Sequence, residues 1–129
     1  MKEEVKYSLN KFKDALAKLN EGIAIAKDEL GKDGVLQRFE FTFELFWKCL
    51  KVFLENEGIQ CSTPKECLKS AFKIGIIKDE EIFLDMLEDR NKTSHTYNKL
   101  ESEKIFKRVR TKYATKLEGI KQILEKKIV

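Results

Sequence analysis

The sequence predicts an all-α fold, an up-and-down bundle of four to five helices. Three observations predict it. The 129 residues contain a single proline. Apolar residues recur at steps of three and four along extended segments, the period of helices buried on one face. Between those segments stand residues that start and stop helices. The length suits one domain, residues 1–129, with one hydrophobic core.

The first helix is expected over residues 3–30. Its stripe is Val5, Leu9, Phe12, Leu16, Leu19, Ile23 and Ala26. Gly31-Lys32-Asp33-Gly34 is expected to end it, because glycine and aspartate tolerate the backbone angles of a helix stop. The second helix is expected over residues 35–57, with Val35, Leu36, Phe39, Phe43, Phe46, Leu50, Phe53 and Leu54 as its core stripe. Phe41, Leu45, Trp47 and Val52 add apolar surface off that stripe. A helix greasy on more than one face is central in its bundle or covered by another chain, so a two-fold homodimer through this region is expected. Thr63-Pro64-Lys65-Glu66 opens a short third helix, with Thr63 as cap and Glu66 completing a capping box. It runs to about Ile74 and is expected to bury Cys67, Leu68, Ala71 and Phe72. Gly75 breaks it. The fourth helix starts at Asp79, with Glu80 and Glu81 in the first turn where the helix dipole favours them. Ile82, Phe83, Met86 and Leu87 form its apolar face. The fifth spans about Leu100 to Ile128, with Ile105, Val109, Tyr113, Leu117, Ile120, Ile123 and Leu124 in its stripe.

Charged residues make up 37% and hydrophobic residues 42% of the chain. The N-terminus, Met-Lys-Glu-Glu, has no apolar stretch of a secretion signal behind it. No apolar run approaches the roughly 18 residues of a membrane span. A cytoplasmic protein without membrane association is expected. Cys49, Cys61 and Cys67 are an odd number without CxxC spacing, so reduced structural thiols are expected rather than zinc or a disulfide framework. The net charge of +4 is unevenly spread. Between Lys104 and Lys127 nine cations face only Glu118 and Glu125. Such a segment could track a phosphate backbone, although a charge run is more often a solvated helix face.

Between the acidic fourth helix and the basic fifth lies Arg90-Asn91-Lys92-Thr93-Ser94-His95-Thr96-Tyr97, which holds the only histidine. On a continuous helix, residues five apart are separated by about 140° around the axis. The polar and β-branched residues here favour helix weakly, so the fourth helix is expected to end or bend, turning His95 and Tyr97 back beside Arg90. Arginine binds phosphate oxygens through paired hydrogen bonds, and histidine moves protons near neutral pH. On RNA the pair suits activation of a ribose 2′-hydroxyl against its own phosphodiester, with arginine stabilising the developing charge. A histidine near a helix end is also commonly a cap or a packed polar residue, and spacing alone leaves both open.

The octapeptide resembles the RN-x-x-x-H-x-Y signature of HEPN domains, and is most similar to the HepT-like branch, the nucleotidyltransferase substrate-binding proteins. Arg38 to Lys48, Thr63-Pro64, Ala71 to Ile77 and Met86 to Asp89 resemble that branch too, and the likeness spans roughly residues 5–125. It implies a HEPN-like helical bundle that dimerises, with the motifs of two subunits facing a shared cleft. It implies a partner, a minimal nucleotidyltransferase (MNT), in a toxin–antitoxin pair. The toxin would be a ribonuclease needing neither metal nor cofactor, silenced when MNT attaches AMP to the motif tyrosine. Carried onto this chain, Arg90 and His95 would be catalytic, Asn91 would support the motif and Tyr97 would be modified. The family's older name implies the alternative, a non-catalytic subunit that binds substrate for the transferase.

Overall fold

The computed structural model describes residues 2–95 and 98–128, apart from the side chains of Ser94 and His95. The described elements are α1 (Lys2–Ile25), α2 (Glu29–Asn56), α3 (Pro64–Lys73), α4 (Glu80–His95), α5 (Lys99–Arg108), a π-helical turn (Val109–Tyr113) and α6 (Ala114–Ile128). The backbone stays right-handed helical at Arg108 and Ala114, so α5, the turn and α6 form one rod, the expected fifth helix. No strand occurs among the described residues.

Side-chain pairings give the helix directions. Phe12 packs on Phe46, the Thr42 hydroxyl donates to the Ala15 carbonyl, and Arg38 donates to the Lys18 carbonyl. Numbers rise along α1 as they fall along α2, so the two are antiparallel. α4 runs against α2 through Phe46–Phe83 and Glu44–Arg90. It also runs against the last rod through Asp79–Lys116 and Asp89–Arg108. The last rod is parallel to α2, by Glu29–Lys99, Lys32–Glu103 and Phe39–Tyr113. The result is the expected up-and-down bundle with α3 laid on its side. α2 is central: it packs against α1, α3, α4 and α5, and its whole expected core stripe is buried.

Four local expectations are corrected. Gly31-Lys32-Asp33-Gly34 lies inside α2, and the break falls earlier, at residues 26–28. Asp28 is the reason: its carboxylate caps α2 by accepting from the Gly31 N–H at 2.7 Å. Burial of Val35 and Leu36 in the turns that follow outweighs the roughly 1 kcal/mol that each helical glycine costs. Second, Phe72 is 43% exposed, while Cys67, Leu68 and Ala71 are buried as expected. Third, Cys61 and Cys67 form a disulfide, because the capped start of α3 folds Cys67 back onto the connection that carries Cys61. Cys49 remains a buried free thiol, and burial pushes its pKa up to about 11. Fourth, α4 runs through His95 instead of ending before it.

Other signals fall where expected. Thr63 caps α3 and Pro64 opens it, although Glu66 reaches back to the Ser62 N–H, one residue beyond the capping-box pattern. Gly75 stops α3 at φ 82°, a left-handed backbone that favours glycine, and Gly58 ends α2 in the same way.

One buried carboxylate ties α4 to the last rod. Asp89 is 4% exposed. Arg108 donates to both its oxygens, at 2.8 and 3.0 Å, and the Tyr113 hydroxyl donates at 2.5 Å. The hydrogen bond to Asp89 drives the Arg108 pKa still higher. Burial first, then Asp89, holds the Tyr113 phenol well above its ordinary range, so it stays a donor. Asp89→Ala leaves two donors without their acceptor and is expected to cost about 2–4 kcal/mol. Tyr113→Phe keeps the ring stacked on Phe39 and is expected to cost only about 1–2 kcal/mol. Denaturant unfolding of both variants checks the order; equal losses would show that Asp89 is not the anchor.

Candidate functional site

Residues follow one another at about 100° around a helix. With Asp89 turned onto Arg108 and Tyr113, the next residue, Arg90, is turned toward α2. Its Nη2 donates to Glu44 Oε2 at 2.7 Å, and its Nη1 donates to Asn91 Oδ1 at 3.2 Å. Asn91 therefore touches the arginine it was expected to support. The Thr93 hydroxyl donates to the Arg90 carbonyl at 2.9 Å.

Arg90 lies on the wall of a cleft of about 710 Å³. Ala15, Lys18, Gly34, Gln37, Arg38, Glu40, Phe41 and Glu44 complete that wall. Three cations and two carboxylates thus meet one exposed aromatic ring, since Phe41 is 61% exposed. Leu30, Gly34, Gln37 and Phe41 recur at steps of four, three and four, so they form one outward stripe on α2. Leu30 is 80% exposed. The expected second apolar face of this helix comes down to that stripe; Leu45, Trp47 and Val52 are half-buried against the core.

The expected site residues separate as follows. Arg90 and Asn91 are in contact at the cleft. The backbone of His95 is the last residue of α4. On that continuous helix its Cα lies about 140° around the axis from that of Arg90 and about 7.5 Å farther along. The turn expected between them therefore does not occur; α4 continues through His95. Tyr97 lies outside the described residues. At Asn98 the side chain caps α5 by accepting from the Glu101 N–H.

Two features escaped sequence reasoning. Glu44 was one charge within an apolar helix, and its role as partner to Arg90 depends on how α4 docks. Asp89 was one of six carboxylates in an acidic run, and nothing in the run marks it as the buried one. The basic segment divides too. Arg108, Lys116 and Lys121 pair with Asp89, Asp79 and Glu118, whereas Lys104, Lys107, Arg110 and Lys112 are exposed on the last rod. None of the described helices is long and apolar enough to cross a membrane.

The Arg90–Glu44 pair is about one third exposed on each side. Such pairs contribute about 0–1 kcal/mol, so Arg90→Ala is expected to shift stability by no more than that. Thermal unfolding checks this; a larger loss would mark Arg90 as a structural residue.

With this geometry in hand, three likenesses to known proteins are informative. Residues 7–126 match the family described as "Nucleotidyltransferase substrate binding protein like". A "Probable ribonuclease HepT" from Haemophilus influenzae is 30% identical over 81 residues, 59% of this chain. The match spans only 56% of that protein. A crystal structure of a Thermus thermophilus protein superposes with a TM-score of 0.74 at 32% identity, covering 91% of this chain and 98% of that one.

Proposed function

The chain belongs to the nucleotidyltransferase substrate-binding protein-like family, the HepT-like branch of the HEPN domains, and on that premise we propose that it is a metal-independent endoribonuclease. The observation that carries this reading is the guanidinium of Arg90, held at the wall of a 710 Å³ cleft on the same helix as His95.

In the proposed reaction the ribose 2′-oxygen attacks the adjacent phosphorus. The 2′-O–P bond forms and the P–O5′ bond breaks. A proton leaves the 2′-hydroxyl and a proton reaches the departing 5′-oxygen, leaving a 2′,3′-cyclic phosphate and a 5′-hydroxyl. His95 moves a proton, and Arg90 binds the phosphate oxygens as charge grows on them. The nucleophile belongs to the substrate, so no metal is needed to generate it. The exposed Lys104, Lys107, Arg110 and Lys112 would track the RNA backbone.

The proposed working unit is a homodimer. The outward stripe of α2 leaves Leu30 and Phe41 exposed, with Phe41 on the same cleft wall as Arg90, an apolar surface that a second copy would cover. Two subunits would also bring two Arg90/His95 pairs to one cleft, which supplies both proton transfers. The partner is a minimal nucleotidyltransferase in the cytoplasm, and the pair acts as toxin and antitoxin. AMP groups on Tyr97 would silence the nuclease by filling the cleft and repelling the RNA backbone. The family's description favours a second reading, a subunit that binds substrate for the transferase without cleaving RNA.

Cleavage of a defined RNA panel in EDTA separates the two. The wild type is expected to cut and leave 2′,3′-cyclic phosphate ends, and His95→Ala to lose at least a hundredfold in rate while keeping its melting temperature. Cleavage undiminished in His95→Ala would sink the assignment of His95. No cleavage by wild type of confirmed mass would favour the binding subunit. Modification is tested separately: co-expression with the transferase is expected to raise the intact mass by whole AMP units, and Tyr97→Phe to abolish the increase. An unchanged wild-type mass would remove the silencing proposal.

A further inference from the structure

We infer that Glu44 is a positioning residue of this site: it sets the plane in which Arg90 meets a phosphate. This rests on the nuclease reading and adds a residue to it.

Glu44 is itself held from its own helix. Trp47 Nε1 donates to Oε2 at 3.1 Å, and Lys48 Nζ lies 3.4 Å from Oε1. Those partners sit three and four residues on, one turn away on α2, so α2 supports the carboxylate from its own side. Arg90 arrives from α4 and places Nη2 2.7 Å from Oε2. Its other terminal nitrogen meets Asn91 Oδ1 at 3.2 Å. A guanidinium is planar with its donors in a rigid fork, so two contacts at different nitrogens determine its plane.

Stability does not explain the arrangement. A pair this exposed contributes little to folding, and Asp89 already fixes the rotation of α4. Nor does simple anion attraction explain it, because a carboxylate on the wall of an RNA cleft repels the substrate. Its presence beside Arg90 fits a group that orients a flexible cation and lowers the ordering cost of each phosphate contact. The opposite role, a carboxylate that competes with phosphate for Arg90, predicts opposite kinetics.

The test compares wild type, Glu44→Gln, Glu44→Ala, Arg90→Ala and the double variant Glu44→Ala/Arg90→Ala. It measures kcat, KM and melting temperature, together with affinity for the same oligonucleotide carrying a 2′-deoxy sugar at the cleavage point. Glu44→Ala is expected to lower kcat at least tenfold with KM within about threefold, and to add nothing in the Arg90→Ala background. Glu44→Gln keeps an acceptor oxygen and is expected to recover most of the loss; it also carries the test if the alanine variant unfolds. Unchanged kcat with lower KM in Glu44→Ala would establish competition and overturn the inference. Independent, multiplicative effects in the double variant would overturn it as well. A wild type that binds the deoxy oligonucleotide but cuts nothing sinks the nuclease reading alone. In that event the same five affinities decide the matter: non-additive losses uphold Glu44 as the residue that positions Arg90, and additive ones overturn it.

Discussion

The carboxylate of Asp89, buried between α4 and the last rod, is the contact on which the site's geometry depends. Taking an ionised acid out of water costs several kcal/mol unless its charge is paired and its oxygens are hydrogen-bonded. Here Arg108 supplies the charge and two bonds, and Tyr113 a third. Only one rotation of α4 about its axis lets Asp89 reach both partners. That rotation carries Arg90, the neighbouring residue, onto Glu44. The π-helical turn serves the same contact. It ends at Tyr113, whose ring stacks on Phe39 and whose hydroxyl reaches Asp89 on α4.

α2 divides its surface between two tasks. One stripe supplies much of the aromatic core, with Phe39, Phe43 and Phe46 fully buried. The other faces outward with Gly34, Gln37, Phe41 and Glu44, and forms the cleft wall against which Arg90 rests. A rigid, fully packed helix is a precise support for a charged group, because its side chains cannot shift without disturbing the core. The apolar residues of the outward stripe also give the proposed dimer a place next to the motif. Core, interface and site would then share one element.

Much of the architecture was legible from periodicity. The stripes of α1, α2 and the last rod were readable because burying one face imposes a spacing of three and four on any helix. The start of α3 was readable because Thr63 and Pro64 act on backbone groups within one turn. Errors arose where local signals competed. Gly31 and Gly34 looked like a stop, yet the Asp28 cap and the burial that follows outweighed them. Cys61 and Cys67 matched no familiar spacing, yet the turn before α3 brings them together. The polar residues after Arg90 looked too weak for helix, yet α4 persists to His95.

By itself, then, the sequence determined the all-α class, the apolar stripes of the helices and the motif that carries Arg90, Asn91 and His95. Each of these is written in residues within a few turns of one another. Only the tertiary structure decided which charges meet. Asp89 and Arg108 are separated by 19 residues, and Glu44 and Arg90 by 46. Six carboxylates lie between Asp79 and Asp89 and nine cations between Lys104 and Lys127, so composition admits many pairings. Helix packing selects among them, because it settles which side chains leave water together.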